Sequence, residues 1–304
     1  GHSALSVWDG LARPAGSDSL PGGRTLHLIY SLMVEIIDRD VVVVGGGGAG
    51  LVAASRAATA GASVALVSKE PVGVGDTKIS TGIITSVQAP DSPERLAADI
   101  LRSGGGLSDP ALVSVLAEGV AEAYRWLERI GLRAHRIEGS PRTLSAPMGG
   151  HSAARSIPHP GRGVDVAAAL WGQLDRCDVL LLDDAWCLEV VVGDGRVAGV
   201  LVYLAREGRL LGIRAGSVIL ATGGLGSLYA PHADTMRSST GDGYALALRA
   251  GAALVDMEQV QFTPFGLVRP RRFLGLPLGE PVLAGPAGRL LDANGAVLAE
   301  GIST

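Results

Sequence analysis

The sequence predicts an α/β fold, a parallel sheet carrying an antiparallel β insertion, and three observations support it. Four successive valines, Val41 to Val44, read as a strand buried on both faces, as strands of a parallel sheet are. The run breaks into glycine at residues 45–48 and restarts as a small-residue helix over residues 49–60, closed by Gly61. A second apolar strand, residues 63–68, follows at once and completes a βαβ unit. From residue 179 the pattern changes to successive strands, at 179–182, 187–192, 197–204 and 217–220. Asp194-Gly195 between two of these apolar runs is a strong hairpin signal.

The glycine turn carries the chemistry of the first unit. Gly45, Gly47 and Gly50 fit G-x-G-x-x-G, with Ala49 between the last two. The first glycine permits the tight turn, the second lets a pyrophosphate approach the backbone, and the third lets helix and strand pack closely. The phosphates then lie at the helix N-terminus. Strand before and helix after make this a dinucleotide site; the plainer reading is a glycine-rich turn in another parallel sheet. The second strand ends in Ser68-Lys69-Glu70, where a nicotinamide enzyme usually carries an acid for the ribose hydroxyls. Ser68 holds the expected place, and Glu70 would serve only if the strand ran two residues longer.

Composition sets the limits. A chain of 304 residues, 47% hydrophobic, holds one large domain or one domain and part of another. Its 44 glycines cluster at strand ends, as tight βα turns require, and show no collagen-like period. The formal charge of −4 gives no polyelectrolyte signature, so nucleic acid is not expected as a partner. Cys177 and Cys187, with no C-x-x-C, read as free thiols in a reducing, cytoplasmic compartment. No apolar run reaches the ~18 residues a membrane helix needs.

Taken in order, residues 1–32 are rich in Gly, Pro, Ser and Leu and read as a disordered extension or an artefact ahead of Met33. After the βαβ unit, residues 72–86 alternate glycine with Thr77, Ser80, Thr81 and Gly82, either an ordinary surface loop or a lining of backbone and hydroxyl donors. Residues 93–103 and 110–130 read as helices, the second opened by Asp109 as N-cap and Pro110 in the first turn. Then comes Gly149-Gly-His151-Ser152-Ala-Ala-Arg155. His151 and His159 do not have metal-ligand spacing, and no orienting acid accompanies a Ser-His pair. No metal site is predicted. Ala221-Thr222-Gly223-Gly224 is a second strand-to-glycine turn. Ser239-Thr240-Gly241-Asp242-Gly243 opens a further helix, with Thr240 or Asp242 as its cap. Val255-Asp-Met-Glu-Gln-Val-Gln261-Phe-Thr263-Pro264 follows.

In this order, the glycine turn, the Ser68-Lys69 pair, the 149–155 segment, Ala-Thr-Gly-Gly, Thr-Gly-Asp-Gly and Asp-Met-Glu-x-x-Gln-x-x-Pro resemble the flavoprotein subunits of the succinate dehydrogenase and fumarate reductase family. The resemblance covers residues 34–266. It implies a Rossmann-like FAD-binding domain over residues 33–262 and the start of an incomplete substrate-capping domain over 263–304. It further implies FAD held by Gly45, Gly47, Ala49, Gly50, Ser68, Lys69, Thr77, Ser80, Thr81, Gly82, Ala221, Thr222, Gly223 and Asp242, with Gln261 near the flavin ring. His151 and Thr263 take substrate-side positions, although the residues alone favour a structural His151. Some members carry a His bonded covalently to the flavin; Asp76 stands in that place, so non-covalent FAD is implied. The reaction implied is hydride transfer through flavin N5 with a small-molecule substrate, and a redox partner subunit.

Two departures matter. Succinate and fumarate enzymes carry His where this chain has Thr263, and the family's Arg-Gly-Glu-Gly-Gly corresponds to Ala284-Gly-Pro-Ala-Gly288, without charges. Family members also continue for several hundred residues and supply the catalytic Arg there. The chain therefore reads as a fragment that holds FAD without turning over succinate or fumarate, and no catalytic residue is nominated. A non-catalytic flavin or electron-transfer module, and a nicotinamide dehydrogenase sharing only the first βαβ unit, are the alternative functions.

Overall fold

The computed structural model describes Trp8 and residues 34–262, 266–274 and 289–300. The strands are β1 (Glu35–Asp38), β2 (Val41–Val44), β3 (Val64–Val67), β4 (Ile83–Thr85), β5 (Arg136–Ile137), β6 (Ser140–Pro141), β7 (Ser156–Pro158), β8 (Val179–Leu182), β9 (Ala185–Gly193), β10 (Arg196–Leu204), β11 (Arg209–Arg214), β12 (Ser217–Leu220), β13 (Arg289–Leu291) and β14 (Val297–Glu300). The α-helices are α1 (Gly48–Thr59), α2 (Asp76–Ile79), α3 (Pro93–Ser103), α4 (Pro110–Arg129), α5 (Gly163–Leu174) and α6 (Asp242–Arg249). Two compact units result. One takes in Gly1–Lys78, Leu170–Ala230 and Thr235–Gln259; the other takes in Ile79–Ala169, Pro231–Asp234 and Val260–Thr304.

The first unit contains both predicted sheets. The parallel sheet has the order β12–β2–β3–β8, with Val41 beside Ser217 and Val64, and Val64 beside Val179. Side chains alternate across a strand, and here both faces are covered. Val42, Val44, Ala65 and Val67 join Val190, Val200, Val202, Leu211 and Ile213 of the second sheet in one core, with Leu246 of α6. Val43 and Leu66 lie on the opposite face, under α1, whose Leu51 and Ala54 are buried. An unbroken valine run is what such a strand needs.

The second sheet, β1–β11–β10–β9, is antiparallel except where β1 runs parallel to β11. Its hairpin turns at Asp194 and Gly195, with φ of 51° and 71°, the two positive values a type I′ turn demands. Pairing of β1 with β11 was not predicted. Of the N-terminal extension only Trp8 is described: its ring is buried, and Nε1 donates to the Ala198 carbonyl at 3.1 Å.

In the second unit α3 and α4 pack together. Ser92 caps α3, its Oγ accepting from Arg95 N at 3.3 Å. Asp109 caps α4 as predicted, accepting from Ala111 N at 2.8 Å. The expected boundary at residue 263 lies outside the described residues.

Candidate cofactor site

Three loops leave the carboxyl ends of adjacent parallel strands in the first unit and converge on one cavity of about 430 Å³. In open α/β sheets this is where ligands bind. The ladder continues one step into each loop: Gly45 N donates to Val67 O at 2.8 Å, Ala221 N to Val44 O at 2.7 Å, and Ser68 N to Leu182 O at 2.9 Å. The loops are therefore fixed by the sheet itself.

The three motif glycines are small for different reasons. Gly45 has φ +116°, and a Cβ there would overlap the Ala221 carbonyl. A Cβ on Gly50 would overlap the Gly45 carbonyl oxygen. On Gly47 a Cβ would meet nothing within 4 Å; its open side belongs to the cavity lining. Packing within the chain thus requires Gly45 and Gly50 but leaves Gly47 free for a ligand. Gly47 is also the N-cap of α1, with no side-chain cap and no acidic residue in the first turn. The positive end of that twelve-residue helix faces the cavity with no acidic residue of its own first turn against it, as an anion site requires.

Around the rim, Lys69 Nζ donates to Asp242 Oδ2 and Thr240 Oγ1, both at 2.6 Å, and lies 5.6 Å from the Trp186 ring centroid. Partial burial alone would raise the Asp242 carboxyl, but the Lys69 ammonium and the Thr240 hydroxyl outweigh it and hold it below the usual carboxylate range. Thr222 packs where a Cβ on Gly243 would clash, so α6 starts hard against the Ala221–Gly223 turn. Cys187 also lines the cavity, but burial pushes its thiol up to about 12, so it is no thiolate nucleophile.

Ten of the predicted residues line this cavity: Gly45, Gly47, Ala49, Ser68, Lys69, Thr77, Ala221, Thr222, Gly223 and Asp242. Gly50 stands behind the turn, in α1. Ser80, Thr81, Gly82, His151 and Gln261 belong to the second unit, and Thr263 lies outside the described residues. Trp186, Tyr244 and Gly243 line the cavity without having been predicted. The glycine of Gly243 was visible in Thr-Gly-Asp-Gly; nothing local marks Trp186.

The 149–155 segment is built into a buried ionic network of the second unit. Arg155 forks onto Asp91, Nε to Oδ2 at 2.7 Å and Nη2 to Oδ1 at 2.9 Å, and its Nη1 reaches Asp99 at 2.5 Å. Ser152 donates to Asp99 through both N and Oγ. His159 is buried nearby in the chain. Its Nδ1 donates to the Gly82 carbonyl at 2.7 Å, which leaves Nε2 to accept from the Tyr124 hydroxyl at 3.2 Å. Among the described residues no group of His, Cys, Asp and Glu is arranged to hold a metal ion. No helix among them is long and apolar enough to cross a membrane.

The sequence model of the FAD binding domain matches residues 40–300. The chain belongs to that family, and its cofactor is FAD. It is 34% identical over 270 residues to one of the subunits of the CoM/CoB fumarate reductase of Methanothermobacter marburgensis, covering 86% of this chain and 48% of that one. It is 36% identical over 280 residues to the L-aspartate oxidase of Streptomyces coelicolor, covering 87% and 47%. The E. coli quinol fumarate reductase superposes with a TM-score of 0.77 at 30% identity, covering 86% of this chain and 44% of that one. The predicted family and the α/β fold class are thus borne out. The chain spans about half the length of the curated relatives it matches.

Proposed function

We propose that the chain binds FAD non-covalently in the cavity beside Gly47 and serves an oxidoreductase that passes electrons between a small-molecule substrate and a redox partner subunit. The open side of Gly47 carries this reading, because it is the one motif glycine whose smallness nothing among the described residues requires. The pyrophosphate would lie against the amides at the start of α1, with Ser68 at the ribose side of the cavity; β3 ends at Val67, so the condition for Glu70 to take that place is not met. When bound, the flavin supplies hydride chemistry at N5; the protein's part is to orient it and exclude water. Names of the relatives, a fumarate reductase and an aspartate oxidase, support the oxidoreductase assignment. The free thiols Cys177 and Cys187 suit a reducing, cytoplasmic setting.

The test is a titration of purified chain with FAD, followed by flavin absorbance and fluorescence. Saturable binding with flavin bands is expected. A protein that ignores FAD but responds to NADH would instead be a nicotinamide enzyme. Acid precipitation of the FAD-loaded chain is expected to release all flavin to the supernatant. No histidine is among the residues lining the described cavity, and both Asp76 oxygens are engaged within the chain. Yellow colour kept in the washed pellet would show a covalent bond.

A further inference from the structure

We propose that Asp76 is a positioning residue for the cofactor cavity, holding the 236–242 segment in place against the glycine turn. The proposal rests on the FAD reading above. The short helix α2 faces two ways. On one side Thr77 Oγ1 accepts from Gly48 N, in the first turn of α1, at 3.2 Å. A Cβ on Gly75 would stand 3.2 Å from the Gly47 Cα, so this turn leans directly on the ligand-facing glycine. On the other side Asp76 Oδ1 accepts from Met236 N at 2.6 Å, and Oδ2 accepts from the buried Ser239 hydroxyl at 2.7 Å. The residues that follow, Thr240 and Asp242, are those that grip Lys69.

One chain of contacts thus runs from Gly48 through Thr77, Asp76 and Ser239 to Asp242 and Lys69, all within the first compact unit. Asp76 is its midpoint. It joins a loop from β3 to a segment 160 residues further along the sequence. α6 has no side-chain cap at Gly241, so its entry segment is held from elsewhere: by Asp76, by Ser227 on the Ser239 carbonyl, and by the Gly224 carbonyl on Gly241 N. Hydrogen bonds to a carboxylate are among the stronger ones, and both oxygens of Asp76 are spent on this segment.

The experiment compares Asp76→Ala, Asp76→Asn, Ser239→Ala and the Asp76→Ala/Ser239→Ala double variant. FAD affinity is read by titration, and amide exchange over residues 235–241 is read on the cofactor-free chain. Asp76→Ala is expected to weaken FAD binding about 10- to 100-fold and to speed exchange in that segment. Asp76→Asn is expected to stay within about threefold of the parent, because its Oδ1 accepts from Met236 N and its Nδ2 donates to Ser239 Oγ. Ser239→Ala, which removes one hydroxyl, keeps the test alive if Asp76→Ala fails to fold, with a loss of roughly 3- to 10-fold expected. The double variant is expected to bind no more weakly than Asp76→Ala alone. Parent-like affinity in Asp76→Ala, Asn as poor as Ala, or additive losses would each overturn the proposal. A parent that does not bind FAD overturns the FAD reading instead, and the exchange measurement still judges Asp76.

Discussion

Gly47→Val is expected to weaken FAD binding severely in a chain that still folds, whereas Gly50→Val is expected to break the first unit itself. Both are glycines of one motif three residues apart, and the structure separates them. Gly47 has an ordinary φ of −76°, and a side chain there enters open space. The loss at the N-cap is about 1 kcal/mol. The space it fills is where the pyrophosphate would lie, and a charge-assisted hydrogen bond is worth about 1.5–3 kcal/mol. Displacing even one amide contact therefore weakens binding roughly 10- to 100-fold. A valine at Gly50 has no such freedom, because its Cβ would overlap the Gly45 carbonyl oxygen. Overpacking a rigid contact typically costs about 1–3 kcal/mol, and more where backbone meets backbone. Far-UV circular dichroism and melting should show Gly47→Val close to the parent and Gly50→Val lowered or unfolded. Equal FAD affinity in Gly47→Val and the parent would show that this turn is not the site.

What the sequence showed and what it hid divide along sequence distance. The valine strand, its glycine turn and α1 were legible because strand period, turn chemistry and helix signals all lie within residues 40–61. The Asp194-Gly195 hairpin and the Asp109 cap were legible for the same local reason. Pairing of β1 with β11 was not, since Glu35 meets Leu211 only through the completed fold. The place of Asp76 shows the same limit. Its residue type was noted only as standing where some relatives carry a flavin-linked histidine, while its partners, Met236 and Ser239, are set by tertiary structure. Arg155 sits in a recognisable Gly-His-Ser-x-x-Arg segment, but its carboxylate partners are 64 and 56 residues away. A motif reading points such a residue at a ligand; the fold gives it a task inside the protein.

Arg155→Leu is expected to destabilise the second unit by about 3–5 kcal/mol, the cost of breaking a buried ion pair from one side. Arg155 is 1% exposed and Asp99 2% exposed, so Asp99 cannot turn to water when the guanidinium goes, whereas Asp91 is only half-buried. Arg155→Lys should rescue little, because one ammonium cannot fork onto Asp91 and also reach Asp99. The deficit should depend on pH in a definite direction. Burial pulls the Asp99 carboxyl upward, but the Ser152 amide and the Arg155 and Arg102 guanidiniums outweigh it and hold it well below the usual range. Asp91 is lowered as well, chiefly by its hydrogen bonds from Arg155. A carboxyl lowered in the folded state adds stability that is complete above its unfolded value, about 3.9, and is lost as pH falls through the folded one. In the variant Asp91 loses its chief lowering partner and Asp99 loses one of several, keeping Ser152 and Arg102, while burial remains. Both carboxyls, Asp91 above all, are therefore expected to protonate more readily on acidification. The gap in melting temperature, about 6–20 °C at pH 7, should therefore narrow towards pH 3. Parent-like melting at pH 7, or a gap unchanged across that range, would show that the fork onto Asp91 and Asp99 does not hold this unit together.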